Sequence, residues 1–580
     1  MAEVHEVSVE RDVSVQMRDG VRLAADVYAP HGSGPFPVLL LRTPYGKTGA
    51  QSPAYLHPLW YARHGYIVVA QDVRGRGASG GEWYPFEHEA TDGYDSVEWA
   101  AALPRSNERV GMYGFSYPGA CQLLAAALQP PHLACIVPAM TSSDYWRWTY
   151  RGGALQQAFV QSWVLHELAS DTARRRGLHD LERELLAARR DVGGFFEDLP
   201  LNRRGVLASD DIAPYYFDWL HHSARDDYWM RWSLEPRFGQ IRVPALHIAG
   251  WYDIFLDGTI RNFLGIRQAG SPEVSAAQRL VIGPWYHMFW ARFVADADFG
   301  AEARNDVDAM QIRWFDHWLK GEANGVAEEA PIRAFAMGAN RWRSESAWPP
   351  TKARAVDLYL ASGGAANSLN GDGRLTRRPV AESPSDVFVY DPLSPIPSLG
   401  GRSCCSPDDV PMGPANQIPV EIKNGVLVYT TPRLRRDAEV LGPVEVTLYA
   451  ATSARDTDWT AKLVDVHHDG LAINLCEGII RARYRSSWSE PELLEPGRCY
   501  EYQIELGATG NLFKAGHRIR LEVSSSNFPS YDRNLNTGGP VGTEPRHAAV
   551  TATQQVFHDA ARPSRLTLRT LGDLELEPDA

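Results

Sequence analysis

Short apolar runs alternate with amphipathic segments along the first part of the chain. Residues 13–30 contain two runs of alternating polarity joined by Asp19-Gly20, and this pattern predicts a β-hairpin. Buried strands are predicted over four later runs, FPVLLLRTPYG, GYIVVAQDVRG, RVGMYGFS and LACIVPAM. Helical patterns separate these runs, so the order of elements predicts a parallel sheet with helices on both faces.

A helical block interrupts this pattern after Asp144. Helical periodicity continues to about Pro236 with almost no strand, and one helix carries an apolar face formed by Leu178, Leu181 and Leu185. The α/β pattern then resumes over VPALHIAGWYD and QRLVIGPW. An insertion of this kind is typical of a lid over the active edge of a sheet.

The final part of the chain consists of alternating strands separated by Gly-, Pro- and Asp-rich turns. Ten such runs without helices predict an antiparallel β-sandwich of the jelly-roll type, as in galactose-binding domains. The whole pattern predicts the α/β class in four segments: an α/β core over 1–143 and 239–352, an inserted helical cap over 144–238, and a β domain over 353–580.

Composition and charge exclude several classes of function. The formal net charge of −13, from 58 basic and 71 acidic residues, argues against nonspecific binding to nucleic acid. No secretory signal pattern and no run of about 18 apolar residues are present, so we expect no membrane span and a cytoplasmic location. The six cysteines are scattered without a C-x-x-C pair, which argues against a zinc site or a disulfide framework. We therefore expect no metal and no cofactor.

Two serines match the motif of a catalytic nucleophile to different degrees. Ser79 fits Gly-x-Ser-x-Gly letter for letter, but no helix opens directly after it, which indicates a Gly-rich connecting loop. Ser116 lies between a predicted strand and a predicted helix, with Pro118 in place of the second glycine. Proline is favoured in the first turn of a helix, and Gly114 and Gly119 supply the small neighbours that a crowded turn needs. We therefore expect Ser116 to be the nucleophile.

The partners that a serine nucleophile needs follow two later strands. Asp253 comes after VPALHIAGW and His287 comes after RLVIGPW, at strand ends where ligands bind in α/β sheets. The chain order Ser, Asp, His is that of an α/β-hydrolase, in which the histidine takes the serine proton and the carboxylate orients the histidine. His247 lies inside a strand and is expected in the core.

Stabilisation of an oxyanion needs two hydrogen-bond donors near the nucleophile. The backbone N–H of Tyr117, directly after the serine, is one candidate. Tyr45, in the loop LLLRTPYGK after an early strand, offers a phenol as the second. From its position alone, Tyr45 could equally be a loop tyrosine that only packs.

Five motifs resemble those of a known family: RTPYGK, QDVRGRGASGG, GFSYPG, GWYDIF and GPWYHM. They are similar to those of the cocaine esterase group of the X-prolyl dipeptidyl peptidase superfamily, which also includes α-amino acid ester hydrolases and glutaryl-cephalosporin acylases. The resemblance covers nearly the whole chain. It implies Ser116, Asp253 and His287 as a catalytic triad, with Tyr45 and the Tyr117 amide as the oxyanion hole.

Two further residues are candidates for contact with the substrate. The resemblance places at Trp163 a tryptophan that contacts the acyl group in this family. Asp144, at the junction with the cap, could bind the ammonium of a substrate, or it could cap the helix that SSDYW begins. Both interpretations of Asp144 stay open at this point.

The function expected from the residues and the resemblance is that of a serine hydrolase. It would cleave carboxylic esters of small molecules through an acyl-enzyme on Ser116. The near alternative is amide chemistry, as in a β-lactam acylase, an α-amino acid ester hydrolase or an X-Pro dipeptidyl peptidase. A non-catalytic carbohydrate-binding protein is the alternative from another class. We expect a small-molecule ester or amide as the partner, with no nucleic acid and no membrane, and a homodimer stays open.

Overall fold

A ten-stranded sheet forms the α/β core in the computed structural model, which describes residues 4–203, 205–288, 290–406 and 408–578. Its first strands are β1 (Val7–Gln16), β2 (Arg22–Pro30), β3 (Phe36–Thr43), β4 (Ile67–Asp72), β5 (Ser106–Phe115) and β6 (Leu133–Ala139). The helices of this part are α1 (Pro58–Arg63), α2 (Glu89–Ala101) and α3 (Tyr117–Ala127). The predicted hairpin is confirmed, because β1 pairs antiparallel with β2 across the turn at Asp19-Gly20.

The cap between β6 and the next core strand is built from short helices. These are α4 (Tyr145–Thr149), α5 (Gln157–Trp163), α6 (Ser170–Arg175), α7 (His179–Arg190), α8 (Val192–Glu197), α9 (Gly205–Ala208), α10 (Pro214–His221) and α11 (Asp227–Met230). A π-helical turn over Val164–Ala169 continues α5. Helix α7 buries Leu181 and Leu185 of the predicted apolar face, whereas Leu178 directly precedes the helix and is half-buried. A small hairpin, β7 (Tyr150–Arg151) with β8 (Ala154–Leu155), was not predicted.

The core sheet continues after the cap with three parallel strands and one antiparallel edge strand. Its strands and an associated hairpin are β9 (Ala245–Tyr252), β10 (Gln278–Tyr286), β11 (Phe293–Val294), β12 (Ala297–Asp298), β13 (Ile332–Ala336) and β14 (Arg341–Glu345). Its helices are α12 (Leu256–Ala269), α13 (Pro272–Ala276) and α14 (Val307–Lys320). The strand order is β1-β2-β4-β3-β5-β6-β9-β10-β13-β14, so β5, β6, β9 and β10 are neighbours. Their carboxyl ends therefore meet at one edge, where residues 116, 253 and 287 lie.

The carboxyl-terminal part is an almost wholly antiparallel β domain. Its elements are β15 (Arg354–Ala361), β16 (Arg374–Thr376), β17 (Asp386–Tyr390), α15 (Ile418–Glu421), β18 (Leu427–Thr430), β19 (Ala438–Thr452), β20 (Asp458–Val466), β21 (Ala472–Arg481), β22 (Tyr500–Phe513), β23 (Arg518–Ser524), β24 (Ala552–Phe557) and β25 (Arg565–Thr570). The ten predicted runs are strands here, although GIIRARYR leaves the sheet after Arg481. The α/β class with a terminal β domain is confirmed. None of the described helices is long and apolar enough to span a membrane.

Candidate active site

Ser116 lies in a sharp turn between β5 and α3. Its backbone has φ 64° and ψ −126°, a conformation that an L-residue adopts only where the surroundings impose it. Glycines stand where a side chain has no room. A Cβ at Gly114 would come within 2.6 Å of Pro118 Cβ, and one at Gly119 within 2.9 Å of the Ala139 carbonyl oxygen. Pro118 falls in the first turn of α3, where a missing N–H leaves no hydrogen bond unmade.

The three predicted catalytic side chains form a continuous hydrogen-bonded chain. His287 Nε2 lies 3.0 Å from Ser116 Oγ, and His287 Nδ1 lies 2.7 Å from Asp253 Oδ1. All three residues are buried, with Ser116 at 7% the most exposed. Because a carboxylate can only accept, Nδ1 carries a proton, and in the neutral ring Nε2 is left free to accept the serine proton.

Two phenylalanines hold the imidazole ring between them. The ring of Phe115 lies 5.5 Å from that of His287 and the ring of Phe255 lies 5.2 Å away, both in edge-to-face arrangement. These contacts restrict rotation of the histidine side chain. Asp253 is fully buried, and the electrostatic interaction between its carboxylate and the imidazole is stronger there than it would be in water.

Both predicted oxyanion donors lie beside the serine. Tyr45 Oη accepts a hydrogen bond of 3.1 Å from the indole N–H of Trp163, and Tyr45 also lines the cavity in front of Ser116. Burial raises the pKa of Tyr45 well above its ordinary value, so the phenol keeps its proton. Tyr117 opens α3, and an amide in the first turn of a helix has no carbonyl of a preceding turn to bond.

A buried polar network that the sequence did not reveal fixes the side chain of Tyr117. Its hydroxyl donates to Glu89 Oε1 at 3.0 Å and accepts the backbone N–H of Phe86 at 2.9 Å. The Glu89 carboxylate forms an ion pair of 2.7 Å with Arg42, and both side chains are buried. The charged Arg42 within the apolar run FPVLLLRT was the one available signal, since a buried guanidinium requires an acidic partner.

Gln51 fixes the strand end that precedes the serine. Its Nε2 donates to the Phe115 carbonyl at 2.9 Å, and its Oε1 accepts the Phe115 N–H at 3.1 Å. The Gln51 side-chain amide thus makes the two backbone hydrogen bonds that a neighbouring strand would otherwise make with Phe115, the last residue of β5. Nothing in the sequence singled out Gln51, because the two residues are 64 positions apart.

Two family models match the chain. The model for X-Pro dipeptidyl-peptidase (S15 family) matches residues 19–289, and the model for the X-Pro dipeptidyl-peptidase C-terminal non-catalytic domain matches residues 324–567. Cocaine esterase from Rhodococcus sp. (strain MB1 Bresler) is 39% identical over 97% of this chain and 98% of its own length. The chain belongs to the S15 family.

Two solved structures share the whole architecture of this chain. An α-amino acid ester hydrolase matches with a TM-score of 0.80 and 25% identity, over 98% of this chain and 97% of its own. An aminopeptidase from a marine sediment Thaumarchaeota archaeon matches with a TM-score of 0.79 and 25% identity, over 99% of this chain and 98% of its own. This S15 protein is a hydrolytic enzyme, as are the relatives named here.

A cavity of about 460 Å³ opens in front of Ser116 in this S15 hydrolase. Phe159 and Trp163 of the cap form part of its wall, and Met288 and Met412 face it from the core and the β domain. Glu167, in the π-helical turn, is a carboxylate in the same wall. Apolar walls with few polar groups are typical of small-molecule sites.

A disulfide between Cys404 and Cys405 also lines the cavity, and the cysteine spacing in the sequence did not indicate it. The pair joins neighbouring residues, so it closes a small ring and links no distant segments. Cysteine spacing predicts C-x-x-C sites and disulfides between separated segments, but it does not predict a disulfide between adjacent cysteines. The backbone carbonyl of Cys405 accepts a hydrogen bond of 2.9 Å from His166 Nδ1, which ties this loop to the cap.

Trp163 lies in the cavity wall, and its indole has a second contact that the resemblance did not suggest. The ring stacks on Phe159 with centroids 5.7 Å apart and on Trp219 with centroids 5.9 Å apart. Its N–H points to Tyr45, so Trp163 touches a predicted oxyanion donor directly. Its contact with an acyl group stays a prediction.

Asp144 does not line the cavity, and the prediction that it binds a substrate ammonium is wrong. Its Oδ1 accepts the backbone N–H of Arg147 at 3.1 Å and so caps α4. Its Oδ2 accepts from the Arg225 guanidinium at 2.7 Å and from the Ser233 hydroxyl at 3.0 Å. The carboxylate is fully buried with both oxygens engaged, so the helix-cap interpretation holds.

Ser79, the serine with the literal motif, is part of a buried loop. Its hydroxyl donates to the Asp72 carbonyl at 2.7 Å and accepts the N–H of Ala24 at 2.8 Å. No described histidine is hydrogen-bonded to Ser79, and the next helix, α2, begins only at Glu89. A hydroxyl occupied in this way joins two backbone segments and has no base to activate it.

Proposed function

We propose that this S15 hydrolase cleaves carboxylic esters of small molecules through an acyl-enzyme on Ser116. The observation that carries the proposal is the chain of two hydrogen bonds, 3.0 Å from Ser116 to His287 and 2.7 Å from His287 to Asp253. The residue identities, the tautomer and the order along the chain are those of nucleophilic acyl transfer.

The first half of the reaction forms the acyl-enzyme. His287 Nε2 takes the proton of Ser116 as Oγ attacks the ester carbonyl carbon, and the carbonyl electron pair moves onto the oxygen. When the tetrahedral intermediate collapses, the bond to the alcohol oxygen breaks and His287 returns the proton to the alcohol. Asp253 keeps the imidazole in the required orientation and stabilises its charged form.

The second half releases the acid. A water molecule gives a proton to His287 Nε2 and attacks the acyl carbon, and the proton then returns to Ser116 Oγ as the carboxylic acid leaves. In both halves the Tyr45 phenol and the Tyr117 amide donate to the negatively charged oxygen. Each such donor contributes roughly 3 kcal/mol to the transition state, which is about a hundredfold in rate.

Amide-directed hydrolysis is the second candidate. The likeness to an aminopeptidase and to an α-amino acid ester hydrolase favours it. Within the cavity, Glu167 is the carboxylate that could bind an α-ammonium group, whereas Asp144 is fully engaged elsewhere. The 39% identity to an enzyme named cocaine esterase favours the ester.

Labelling with a fluorophosphonate tests the nucleophile. We expect one label per chain, located on Ser116 by peptide mapping and absent from Ser116→Ala. Ser79→Ala is the matched control, because it removes the serine that has the literal motif. Label retained by Ser116→Ala, or lost with Ser79→Ala in a folded protein, would contradict the assignment.

A substrate panel separates the two candidate functions. The panel contains p-nitrophenyl esters of increasing acyl length, α-amino acid esters and the corresponding amides. The ester proposal predicts the highest kcat/KM on unsubstituted acyl esters, with no dependence on Glu167→Gln. Preference for α-amino substrates, lost in Glu167→Gln, would replace the proposal by the amide-directed alternative.

We also propose a location and a binding partner for this enzyme. We infer a cytoplasmic enzyme whose partner is a small-molecule ester, with no nucleic-acid or membrane ligand; the net charge of −13 supports the first exclusion. Size-exclusion chromatography with light scattering separates a monomer from a homodimer.

A further inference from the structure

Two histidines and an aspartate of the β domain lie on one face of a strand pair, far from Ser116 in the sequence. Strand β20 pairs antiparallel with β23, with Asp465 opposite Ile519 and Val466 opposite Arg518. Extending this register by one residue places His467 opposite His517. Residues two apart on a strand share a face, as do residues directly opposite each other, so Asp465, His467 and His517 all project to the same side.

The ligand atoms of these three side chains converge. Asp465 Oδ1 lies 2.8 Å from His517 Nδ1, and Asp465 Oδ2 lies 4.0 Å from His467 Nε2. One donor atom from each residue fits within 4.8 Å of the others, and the two imidazole rings stack with centroids 4.5 Å apart. Ligands at about 2.0–2.2 Å from a tetrahedral zinc ion are about 3.4 Å apart. The two measured separations bracket that value, so small side-chain rotations would complete the site.

The surroundings leave a fourth coordination position accessible. The three residues line a cavity of about 390 Å³. Asn511 Nδ2 donates to Asp465 Oδ2 at 3.2 Å and orients the carboxylate, as an outer-shell partner of a metal ligand does. Lys514 lines the same cavity, but it is exposed and its ammonium can remain in water.

We propose that Asp465, His467 and His517 bind one divalent transition-metal ion of the zinc type. Two imidazoles and one carboxylate suit Zn²⁺ or Co²⁺, whereas Mg²⁺ and Ca²⁺ require a set of oxygen ligands. The expectation from cysteine spacing missed this site, because strand pairing brings together residues from two segments about 50 positions apart.

The site lies between the β domain and the α/β core. Tyr252, the residue before Asp253, lines the same cavity, as does Phe299 from the loop beyond β12. An ion held here would tie the end of β20 to the start of β23 beside that boundary. Its expected effect is therefore on stability, and this inference does not depend on the reaction at Ser116.

Metal titration of the full chain without a histidine tag tests the proposal. After treatment with a chelator, we expect one Zn²⁺ per chain with a Kd below about 10 µM. We also expect a Tm increase of about 2 °C or more in excess Zn²⁺ and a visible absorption band of four-coordinate Co²⁺. His467→Ala and His517→Gln should each weaken Zn²⁺ binding at least about tenfold.

His468→Ala is the matched control, because its side chain is exposed and lies in the turn after β20, outside the group of converging ligand atoms. Circular dichroism and a cooperative thermal unfolding transition establish that each variant is folded. His467→Ala is informative even if the more buried His517 is needed for folding. Three results would overturn the proposal: absence of stoichiometric Zn²⁺ binding, unchanged binding in His467→Ala, or an equal loss of binding in His468→Ala. The three residues would then be only a hydrogen bond between Asp465 and His517, with His467 stacked on His517.

Discussion

The indole N–H of Trp163 donates a hydrogen bond to the phenol oxygen of Tyr45, with 3.1 Å between the two atoms. A hydroxyl that accepts in this way directs its own O–H elsewhere, and Ser116 lies on the same cavity wall. Trp163 therefore acts as a positioning residue for a proposed oxyanion donor, in addition to any contact it makes with an acyl group.

Trp163→Phe separates these two roles. Phenylalanine keeps an aromatic ring against Phe159 and Trp219 but removes the N–H. We expect kcat on a p-nitrophenyl ester to fall about three- to tenfold with KM nearly unchanged, because one hydrogen bond contributes about 1 kcal/mol. Trp219→Phe, which leaves the Tyr45 hydrogen bond in place, is the control. A raised KM with unchanged kcat would instead assign Trp163 to acyl binding alone.

Tyr45→Phe removes the proposed donor itself. We expect kcat/KM to fall about a hundredfold, since an oxyanion donor contributes roughly 3 kcal/mol. Tyr55→Phe is the matched control, because the Tyr55 hydroxyl is buried without a hydrogen-bond partner among the described residues. An effect of similar size in both variants would show that lost packing, and not the donor, is responsible.

The pH dependence of the wild-type enzyme gives a second test of Tyr45. Burial raises the pKa of its phenol, and the donor form is the protonated form that exists below that pKa. An exposed tyrosine has a pKa of about 10. The rate of ester hydrolysis should therefore not fall near pH 10 through ionisation of Tyr45. A decline of kcat centred there in the wild type, and absent in Tyr45→Phe, would indicate a phenol that is not shielded.

The geometry of the turn around Ser116 predicts a large effect for one substitution and a small effect for a substitution at the neighbouring residue. Gly119→Ala would place a Cβ 2.9 Å from both the Ala139 carbonyl oxygen and Thr141 Cβ, so the turn must shift. We expect a loss of about 1–3 kcal/mol in stability and at least a tenfold loss of kcat. Pro118→Ala adds no atoms and should change stability by less than about 1 kcal/mol. Urea unfolding and ester kinetics measure both, and equal effects would contradict this explanation of the motif.

Residues whose positions depend on local chain pattern were predictable. Asp253 and His287 directly follow buried apolar runs, and parallel strands bring such positions to one edge of a sheet. In the structure His287 is hydrogen-bonded to both Asp253 and Ser116. The strand–turn–helix pattern likewise separated Ser116 from Ser79 without any tertiary information.

Residues whose positions depend on distant partners were not predictable. Asp144 is engaged by Arg225, 81 positions away, and the sequence alone could not choose between a helix cap and a substrate contact. The Gln51 contact with Phe115 spans 64 positions. Periodicity reports which face of an element is apolar, but it does not report which distant polar group that element meets.

Buried His247 makes stability depend on pH in a defined direction. Its Nε2–H donates to Gln278 Oε1 at 3.1 Å, while Nδ1 is buried without a partner among the described residues. Burial lowers the pKa of His247 to about 4, from about 6.5 in the unfolded chain. The unfolded state therefore binds the proton first as the pH falls, so this group destabilises the fold progressively from about pH 6.5 to about pH 4, by about 3 kcal/mol in total.

His247→Gln should remove this dependence while keeping an amide donor near Gln278. We expect the variant to be less stable than the wild type near neutral pH, because the packing of the imidazole is lost. The difference in Tm between the two proteins should shrink, and can change sign, as the pH is lowered from about 6.5 to about 4. His547→Gln, at an exposed position, is the control for the loss of one histidine. A Tm difference for His247→Gln that stays constant across this range would show that the buried imidazole is not held neutral.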